Sequence, residues 1–288
     1  MTAPHRSRPI NERRHPRVLL VDVGNTRIKW ATWSNGRLGR LQAEPHAGWG
    51  QQDFVRRLFA AKSRPARIIV ASVAGPHIER ALIRAAWRAL HIEPELLSTA
   101  RQAAGVTTRY LDPWRLGVDR FVGAIGAHRL AGRRPACVVD VGTAVTIDLI
   151  DSRGVHRGGA IVPGPELMVR SLLSSTEGIE RRASERRTAA RDARASGDNS
   201  ARAARISLFA RSTRAAIEQG AACAVAAVID RAVDEAGRVL HAHPLVLLSG
   251  GAAVCIEPLI RSRHVTVPDL VLRGIAVHAG LPLVRLRA

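Results

Sequence analysis

Residues 22–29 read Asp-Val-Gly-Asn-Thr-Arg-Ile-Lys, and their types suit the binding of a phosphate group with its metal ion. Gly24 permits a tight turn whose backbone N–H groups converge, and the Asn and Thr that follow add side-chain donors. Lys29 can return to the same point from the next strand, while Asp22 can hold a hydrated Mg²⁺. An ordinary hairpin with an Asn turn is the alternative. Lys29 is, however, one of only two lysines among 44 basic residues.

Residues 140–148 repeat this pattern as Asp-Val-Gly-Thr-Ala-Val-Thr-Ile-Asp, with hydroxyl groups in place of the ammonium group. Thr143 can bind a phosphate oxygen or a phosphate-linked metal ion from the opposite side. Asp140 can ligate a cation directly or through water. Thr146 and Asp148 alternate after the turn and share one face, but a β-forming residue and a turn residue are the simpler interpretation for these two.

Two further segments could take part in the same chemistry. Residues 110–120 contain the only tyrosine, Tyr110, and end in Asp119-Arg120 at the start of an apolar helical pattern. Asp119 either caps that helix or accepts a proton from an attacking hydroxyl, with Arg120 neutralising an anionic substrate or phosphate. Residues 248–252 (Leu-Ser-Gly-Gly-Ala) follow a strand, and backbone without Cβ would let a flat adenine approach there.

The elements that must position these residues are strands alternating with helices. Apolar runs predict strands at residues 18–21, 68–70, 137–139 and 245–248, and strand-like stretches follow the two turns at residues 28–33 and 145–150. Helical periodicity predicts helices over residues 79–90, 119–130, 166–173 and about 206–240. The alternation indicates an α/β fold.

A near repeat indicates how the α/β units are arranged. Residues 18–26 and 136–144 are both an apolar strand that ends in Asp-Val-Gly and small polar residues. We therefore expect two similar domains, residues 18–133 and 134–288, that face each other across a cleft. Residues 1–17 are predicted to be a disordered basic tail, and residues 180–204, rich in Arg and poor in large apolar residues, a surface insertion.

Composition limits the class of protein. The chain has 288 residues, 46% of them hydrophobic, and no apolar run approaches the roughly 20 residues that span a bilayer. Three scattered cysteines and no secretory leader favour a soluble cytoplasmic protein. The net charge of +20 indicates either a nucleic-acid surface or the Arg-rich coding bias of a GC-rich genome, and aromatic residues, at 3%, offer few rings for stacking on bases.

Four motifs in order resemble those of the type III pantothenate kinases. They are Asp-x-Gly-Asn-Thr-x-x-Lys, Gly-x-Asp-Arg, Asp-x-Gly-Thr-Ala-x-Thr-x-Asp and Gly-Gly-x-Ile-x-Pro-Gly, at residues 22–29, 117–120, 140–148 and 158–164. The resemblance covers about residues 18–280. It implies the duplicated ribonuclease-H-like domains of the acetate/sugar-kinase, heat-shock ATPase and actin superfamily.

The resemblance also implies a role for each matching residue. Asp119 would be the proton acceptor, Asp140 would bind potassium or ammonium, and Mg²⁺ would accompany ATP. The ATP site would comprise Asp22, Val23, Gly24, Asn25, Thr26, Arg27, Ile28, Lys29 and Thr143. Pantothenate would contact Tyr110, Gly117, Val118, Asp119 and Arg120, with Thr213 completing the pocket across a homodimer interface.

The sequence departs from the family pattern in three places. The insertion has no expected counterpart, residues 176–180 replace the usual Thr-Ala-x-Leu-Pro, and Ala252 follows Gly-Gly where many relatives have an Asp. The leading hypothesis is ATP-dependent phosphorylation of pantothenate to 4′-phosphopantothenate, the opening step of coenzyme A synthesis. The alternatives are a DNA-associated transcriptional accessory factor and another small-molecule kinase or phosphohydrolase of the superfamily. Nucleic-acid binding is expected to be non-specific at most.

Overall fold

The structure is a computed structural model that describes residues 16–60, 64–175, 179 and 208–282. The predicted insertion over residues 180–204, residues 1–15 of the predicted tail and most of the departing segment 176–180 lie outside the described residues.

A first sheet contains the first of the two predicted turns. Its strand order is β3-β2-β1-β5-β6, and β4 also pairs with β2. The strands are β1 (Val18–Val23), β2 (Arg27–Ser34), β3 (Arg37–Leu38), β4 (Gln42–Pro45), β5 (Arg67–Ser72) and β6 (Glu95–Leu96). One side is covered by α1 (Gln51–Phe54), a π-helical turn (Val55–Phe59) and α2 (Pro76–Leu90), whose apolar residues form one core with those of β1, β2 and β5.

A second sheet contains the second turn. Its strand order is β13-β12-β9-β10-β11-β8-β7. The strands are β7 (Gln102–Ala103), β8 (Val106–Thr108), β9 (Ala136–Val141), β10 (Ala144–Ile150), β11 (Val155–Pro163), β12 (Leu245–Ser249) and β13 (His264–Thr266). A 3₁₀ turn (Pro113–Arg115) precedes the next helix.

The two sheets repeat one arrangement, as the duplicated segments predict. In the first, β1 pairs antiparallel with β2 and parallel with β5. In the second, β9 pairs antiparallel with β10 and parallel with β12. Each hairpin carries its Asp at the end of the first strand, so both turns lie at corresponding edges. All six predicted strands are present.

Helix α3 (Val118–Ala131) lies between the sheets, together with α7 (Leu270–His278). Val118 and Val122 pack in a core with residues of β1 and β5, whereas Phe121 and Ile125 pack in a core with residues of β9. The two helices touch through their backbones, since a Cβ on Gly274 would collide with the Val122 carbonyl. Helix α3 is therefore buried on both sides and fixed relative to both sheets.

The chain passes between the two sheets more than once. Strands β7 and β8, from the part of the chain assigned to the first predicted domain, hydrogen-bond within the second sheet. Helix α7, from the second predicted domain, packs against the first sheet. The division of the chain at residues 133 and 134 stays a prediction.

Helix α5 begins later than the sequence indicates. It spans Thr213–Leu240 and packs beside α4 (Pro165–Ser175), whereas the described residues just before it, 208–212, are not helical. Ser212 is extended, and its hydroxyl accepts a hydrogen bond from Ala215 N at 3.3 Å, which makes it the N-cap. The predicted start at about residue 206 is wrong because Ala-rich composition favours helix but does not locate the cap.

Short elements complete the second half. They are α6 (Ala253–Ile256) and a 3₁₀ turn (Glu257–Leu259). Among the helices in the described ranges, none combines the length and apolarity needed to cross a bilayer.

Candidate active site

The two predicted phosphate-binding turns face each other and touch. Thr26 Oγ1 and Thr143 Oγ1, from opposite sheets, are 2.8 Å apart and share a hydrogen bond. Each turn is closed by a backbone bond, from Gly24 N to Arg27 O at 3.0 Å and from Gly142 N to Ala144 O at 3.0 Å. The cleft between the sheets thus has matching polar turns on its two walls.

Lys29 lies between carboxylates of both sheets. Its Nζ is 3.9 Å from Asp22 Oδ2, its cross-strand neighbour, and 3.9 Å from Asp140 Oδ2 in the other sheet. Burial by itself would lower the pKa of Lys29, but these two carboxylates and that of Asp119 outweigh burial and raise it. The ammonium group is therefore held in its charged form.

The same crowding of charge affects Asp22. Burial raises the pKa of Asp22 to about 7, Lys29 opposes the rise, and the negative charges of Asp140 and Asp119 add to it. Three carboxylates surround one ammonium group, so the cluster has an excess of negative charge that a cation would offset.

Asp119 lies in the first turn of α3, at the second helical position. The N-cap is Gly117, which has no side chain to accept a capping bond, and Asp119 Oδ1 accepts the N–H of Arg120 at 2.7 Å. Burial raises the pKa of Asp119, and Asp140 and Asp148 contribute in the same direction. Asp119 is thus a half-buried carboxylate next to the cluster, and the N-cap alternative is not what this helix shows.

Arg120 belongs to a buried network. Its Nε donates to Asp148 Oδ2 at 2.9 Å, its Nη2 to Asp148 Oδ1 at 2.6 Å, and its Nη1 to the Tyr110 hydroxyl at 3.2 Å. Burial would lower the pKa of Arg120, but the hydrogen bonds and charge of Asp148 raise it. Asp148 thus compensates the charge of Arg120, and the simpler interpretation of Asp148 as a turn residue is wrong.

His156 completes this network, and sequence reasoning missed it. Its Nε2 lies 2.7 Å from Asp148 Oδ1, its side chain is fully buried, and its ring is 5.8 Å from that of Tyr110. The sequence offered one indication of His156. It lies two residues before the Gly-Gly of the fourth motif, which puts it on β11, the strand that pairs with β10. The Gly-Gly itself leaves room for the network, since a Cβ on Gly159 would lie 2.5 Å from Asp148 Oδ1.

Several residues of the predicted site can offer only backbone atoms. The side chains of Val23, Ile28 and Val118 are buried in the hydrophobic cores. Two others, Arg27 and Asn25, keep exposed side chains. The Nη2 of Arg27 donates to the Ala43 carbonyl at 3.3 Å. Asn25 lies at the tip of the first turn.

Thr213 lies apart from this group, in an apolar groove of about 800 Å³ between α4 and α5. The groove is lined mainly by Leu167, Met168, Leu172 and Ile217, and it begins at Pro163. Pro163 pairs with Ala144, so the groove adjoins the second turn.

The third Gly-rich segment lies beside Asp140. Ser249, the last residue of β12, pairs with Asp140, and its buried hydroxyl has no hydrogen-bond partner within the described ranges. Gly250 has a φ of 101°, and a Cβ there would collide with the backbone of Val141. The segment therefore brings bare backbone close to the second turn.

The acidic residues suit a metal ion that arrives with its nucleotide. Within the described part of the chain, no three His, Cys, Asp or Glu side chains form a metal-binding group. Mg²⁺ is commonly held by one or two carboxylates and substrate phosphates instead of a protein cage. Asp22, with the excess negative charge around Lys29, fits that kind of site.

Comparison with known proteins shows relatives along most of the chain. The family model described as type III pantothenate kinase matches residues 18–235. The type III pantothenate kinase of Nitrosococcus oceani is 33% identical over 265 residues, which cover 90% of this chain and 92% of that protein. The one from Janthinobacterium sp. (strain Marseille) is 36% identical over 270 residues, covering 90% and 95%.

Among solved structures, a conserved putative Baf family transcriptional activator from Campylobacter jejuni superposes with a TM-score of 0.52. It is 16% identical, and the match covers 91% of this chain and 98% of that one. At this identity the likeness shows the fold alone, and it confirms the α/β fold class expected for two ribonuclease-H-like halves.

Proposed function

The chain belongs to the type III pantothenate kinases, and from this premise we infer that it transfers a phosphoryl group from ATP to pantothenate, yielding 4′-phosphopantothenate for coenzyme A synthesis. It is a phosphotransferase with an alcohol group as acceptor. The observation that supports this chemistry best is the cluster of Asp22, Asp140 and Asp119 around Lys29, beside two turns in contact.

The turns and Lys29 bind the phosphates of ATP. Backbone N–H groups of residues 25–27, the Lys29 ammonium group and the Thr143 hydroxyl supply positive partial or full charge from both walls of the cleft. Asp22 would hold Mg²⁺, which would reduce the negative charge of the ATP phosphates. The protein contributes mainly positioning and electrostatic stabilisation, because phosphoryl transfer asks little covalent chemistry of it.

Asp119 accepts the proton of the attacking hydroxyl. The pantothenate hydroxyl oxygen forms a bond to the γ-phosphorus, the bond from that phosphorus to the bridging oxygen breaks, and its electron pair leaves on ADP. The hydroxyl proton passes to the Asp119 carboxylate, whose raised pKa makes it a better base than an exposed Asp.

Pantothenate lies beside α3. Tyr110 and the backbone of Gly117 and Val118 contact it. Arg120 contacts it through the N–H groups that Asp148 and Tyr110 leave free. Because Asp148 already balances the guanidinium charge, Arg120 acts here as an oriented donor more than as a free cation.

A coupled ADP-release assay with and without pantothenate tests the proposed function. We expect ADP release to depend on pantothenate, and Asp119→Asn to lower kcat by about 10²–10⁴-fold, the usual contribution of a positioned base. ADP binding by calorimetry should be unchanged in this variant. More than half of the wild-type kcat at saturating pantothenate would remove Asp119 from the mechanism.

Asp140 is proposed to bind a monovalent cation, potassium or ammonium. The Lys29 ammonium group lies near the carboxylates of both Asp140 and Asp22, so one positive charge faces two negative charges. A further cation would balance the second negative charge. We expect activity in potassium to exceed that in sodium, and Asp140→Ala to abolish the difference. Equal wild-type activity in the two buffers, each with Mg²⁺, would contradict the assignment.

The protein is proposed to be a cytoplasmic homodimer in which Thr213 reaches the partner's pantothenate pocket. The apolar groove beside Thr213, which adjoins the second turn, supports a second copy as its occupant.

Mixing two variants tests this arrangement. Asp119→Asn removes the proposed base, and Thr213→Val removes the hydroxyl that is proposed to reach the partner's pocket. If Thr213 serves the partner's site, each mixed dimer has one intact site, and re-equilibrated mixtures should regain up to about a quarter of wild-type activity. A mixture no more active than its components, or a fully active monomer by sedimentation, would refute the shared site.

A further inference from the structure

His46 is a buried polar residue beside the first phosphate-binding turn, and no motif of the sequence includes it. His46 is only 4% exposed. Strand β4 runs antiparallel along β2, with Pro45 opposite Arg27, so the next residue reaches the turn itself. His46 therefore contacts the first turn although it lies outside residues 22–29 in the sequence.

His46 binds two carbonyl groups of that turn. Its Nε2 lies 2.7 Å from Gly24 O, and its backbone N donates to Thr26 O at 3.2 Å. A carbonyl oxygen only accepts, so Nε2 carries the hydrogen and donates it. The other ring nitrogen, Nδ1, is buried with no hydrogen-bond partner in the part of the chain that the structure describes. All the polar contact of this ring is therefore directed at Gly24.

These two bonds fix the direction of the N–H groups in the turn. In a trans peptide the C=O and N–H point to opposite sides, and the described residues contain no cis peptide. A Gly24 carbonyl held by His46 turns the N–H of Asn25 away from His46. The Thr26 carbonyl, held by the His46 backbone, does the same for the N–H of Arg27. Both N–H groups are among the donors proposed to bind the ATP phosphates.

His46 is itself attached to the hydrophobic core of the first sheet. The N–H of Trp49 donates to the His46 carbonyl at 3.0 Å, and the Trp49 ring packs edge-on against Phe54 with centroids 5.3 Å apart. Both aromatic residues are buried. The ring of His46 therefore has little freedom to follow the turn, and the turn is held to a fixed support.

We propose that His46 is a positioning residue, which orients the backbone amides of the first turn toward the nucleotide phosphates without contacting substrate itself. The proposal rests on the proposed function, because it assigns His46 to the nucleotide side of that site. It separates the two substrates: loss of the Nε2 bond loosens the ATP phosphates, whereas the pantothenate contacts on α3 are independent of it.

Two polar variants of similar size test the role. The amide nitrogen of His46→Gln can take the place of Nε2, whereas that of His46→Asn reaches only the place of Nδ1. With the purified full-length protein, we expect His46→Asn to raise the KM for ATP and the Kd for Mg-ADP by about tenfold, the equivalent of one hydrogen bond. His46→Gln should stay within about threefold of wild type, and the KM for pantothenate should not change in either.

His278→Leu is the control for removing a half-buried histidine elsewhere, on α7 against Phe121. It should leave the KM for ATP unchanged. The inference is overturned if Gln and Asn behave alike, if both substrates lose affinity equally, or if His278→Leu reproduces the ATP defect. A wild-type protein that binds no Mg-ADP in calorimetry would instead overturn the proposed function, and with it the role of His46.

Discussion

Two arginine–carboxylate pairs of this protein have the same forked geometry, but one is buried and the other is exposed to solvent. This difference allows a matched test of the Arg120 network. Arg120 and Asp148 are joined by bonds of 2.9 and 2.6 Å, with side chains 7% and 2% exposed. Arg67 and Glu95 are joined by two bonds of 2.7 Å, with side chains 40% and 47% exposed. Asp148→Asn and Glu95→Gln remove one charge each with almost no change in shape.

The two substitutions should differ several-fold in their effect on the free energy of unfolding. Removing one partner of a buried pair leaves the other charge uncompensated and costs about 3–5 kcal/mol. An exposed pair contributes about 0.2–1 kcal/mol, because water solvates whichever charge remains. In a chain of this size we expect Asp148→Asn to lower Tm by about 6–20 °C and Glu95→Gln by at most about 4 °C.

Urea titration followed by circular dichroism, with thermal melts in parallel, measures both changes. The m values of the two variants should match that of the wild type, so that a shift in midpoint reports stability. Loss of stability in Asp148→Asn within about 1 kcal/mol of that in Glu95→Gln would refute the reasoning. The Arg120 charge would then be solvated by some route other than Asp148.

Three further outcomes are expected. The value of kcat/KM for pantothenate should fall as pH decreases through a pKa above that of an exposed Asp, because burial raises the pKa of Asp119 and only its ionised form accepts a proton; a pH profile that is unchanged in Asp119→Asn would contradict this. Gly159→Ala should destabilise the protein by about 1–3 kcal/mol by overpacking, while Gly123→Ala, where a Cβ meets open space within α3, should be neutral or stabilising in the same urea titration. Deleting residues 1–16 should not change pantothenate phosphorylation, and anisotropy on specific and scrambled duplexes should show only weak, salt-sensitive binding; a sequence preference of about a thousandfold would establish a second function.

The strands and the two facing turns were predictable because their causes are local. An apolar run that ends in Asp-x-Gly predicts a buried strand followed by a turn, and its repetition predicts two such units. The positions of Asp22, Lys29 and Asp140 follow once the two hairpins face each other. The cross-strand register of Asp22 and Lys29 then follows from the short turn between them.

The Arg120 network was not predictable, because its members come from α3, β10, β11 and the loop after β8, which only the tertiary fold brings together. Asp148 is adjacent to His156 through the pairing of β10 with β11, and that pairing includes a register shift after Leu149. No periodicity within either strand encodes the shift. His46 escaped for a similar reason, since its role depends on β4 returning beside β2. The predicted start of α5 was wrong because the N-cap, Ser212, determines where the helix begins, and helical propensity does not locate that cap.

The glycine contact between α3 and α7 has a mechanical consequence. Packed helices slide past each other by repacking side chains, and at this crossing the Val122 backbone lies directly against Gly274 with no side chain between them. Sliding either helix along the other would drive a side chain into this close contact, so the crossing keeps the two helices in register. Asp119 lies on α3 about 10 Å along its axis from Gly126, where a Cβ would collide with the backbone of α7. The crossing therefore fixes the height of Asp119 relative to α7 and to the first sheet, against which α7 packs.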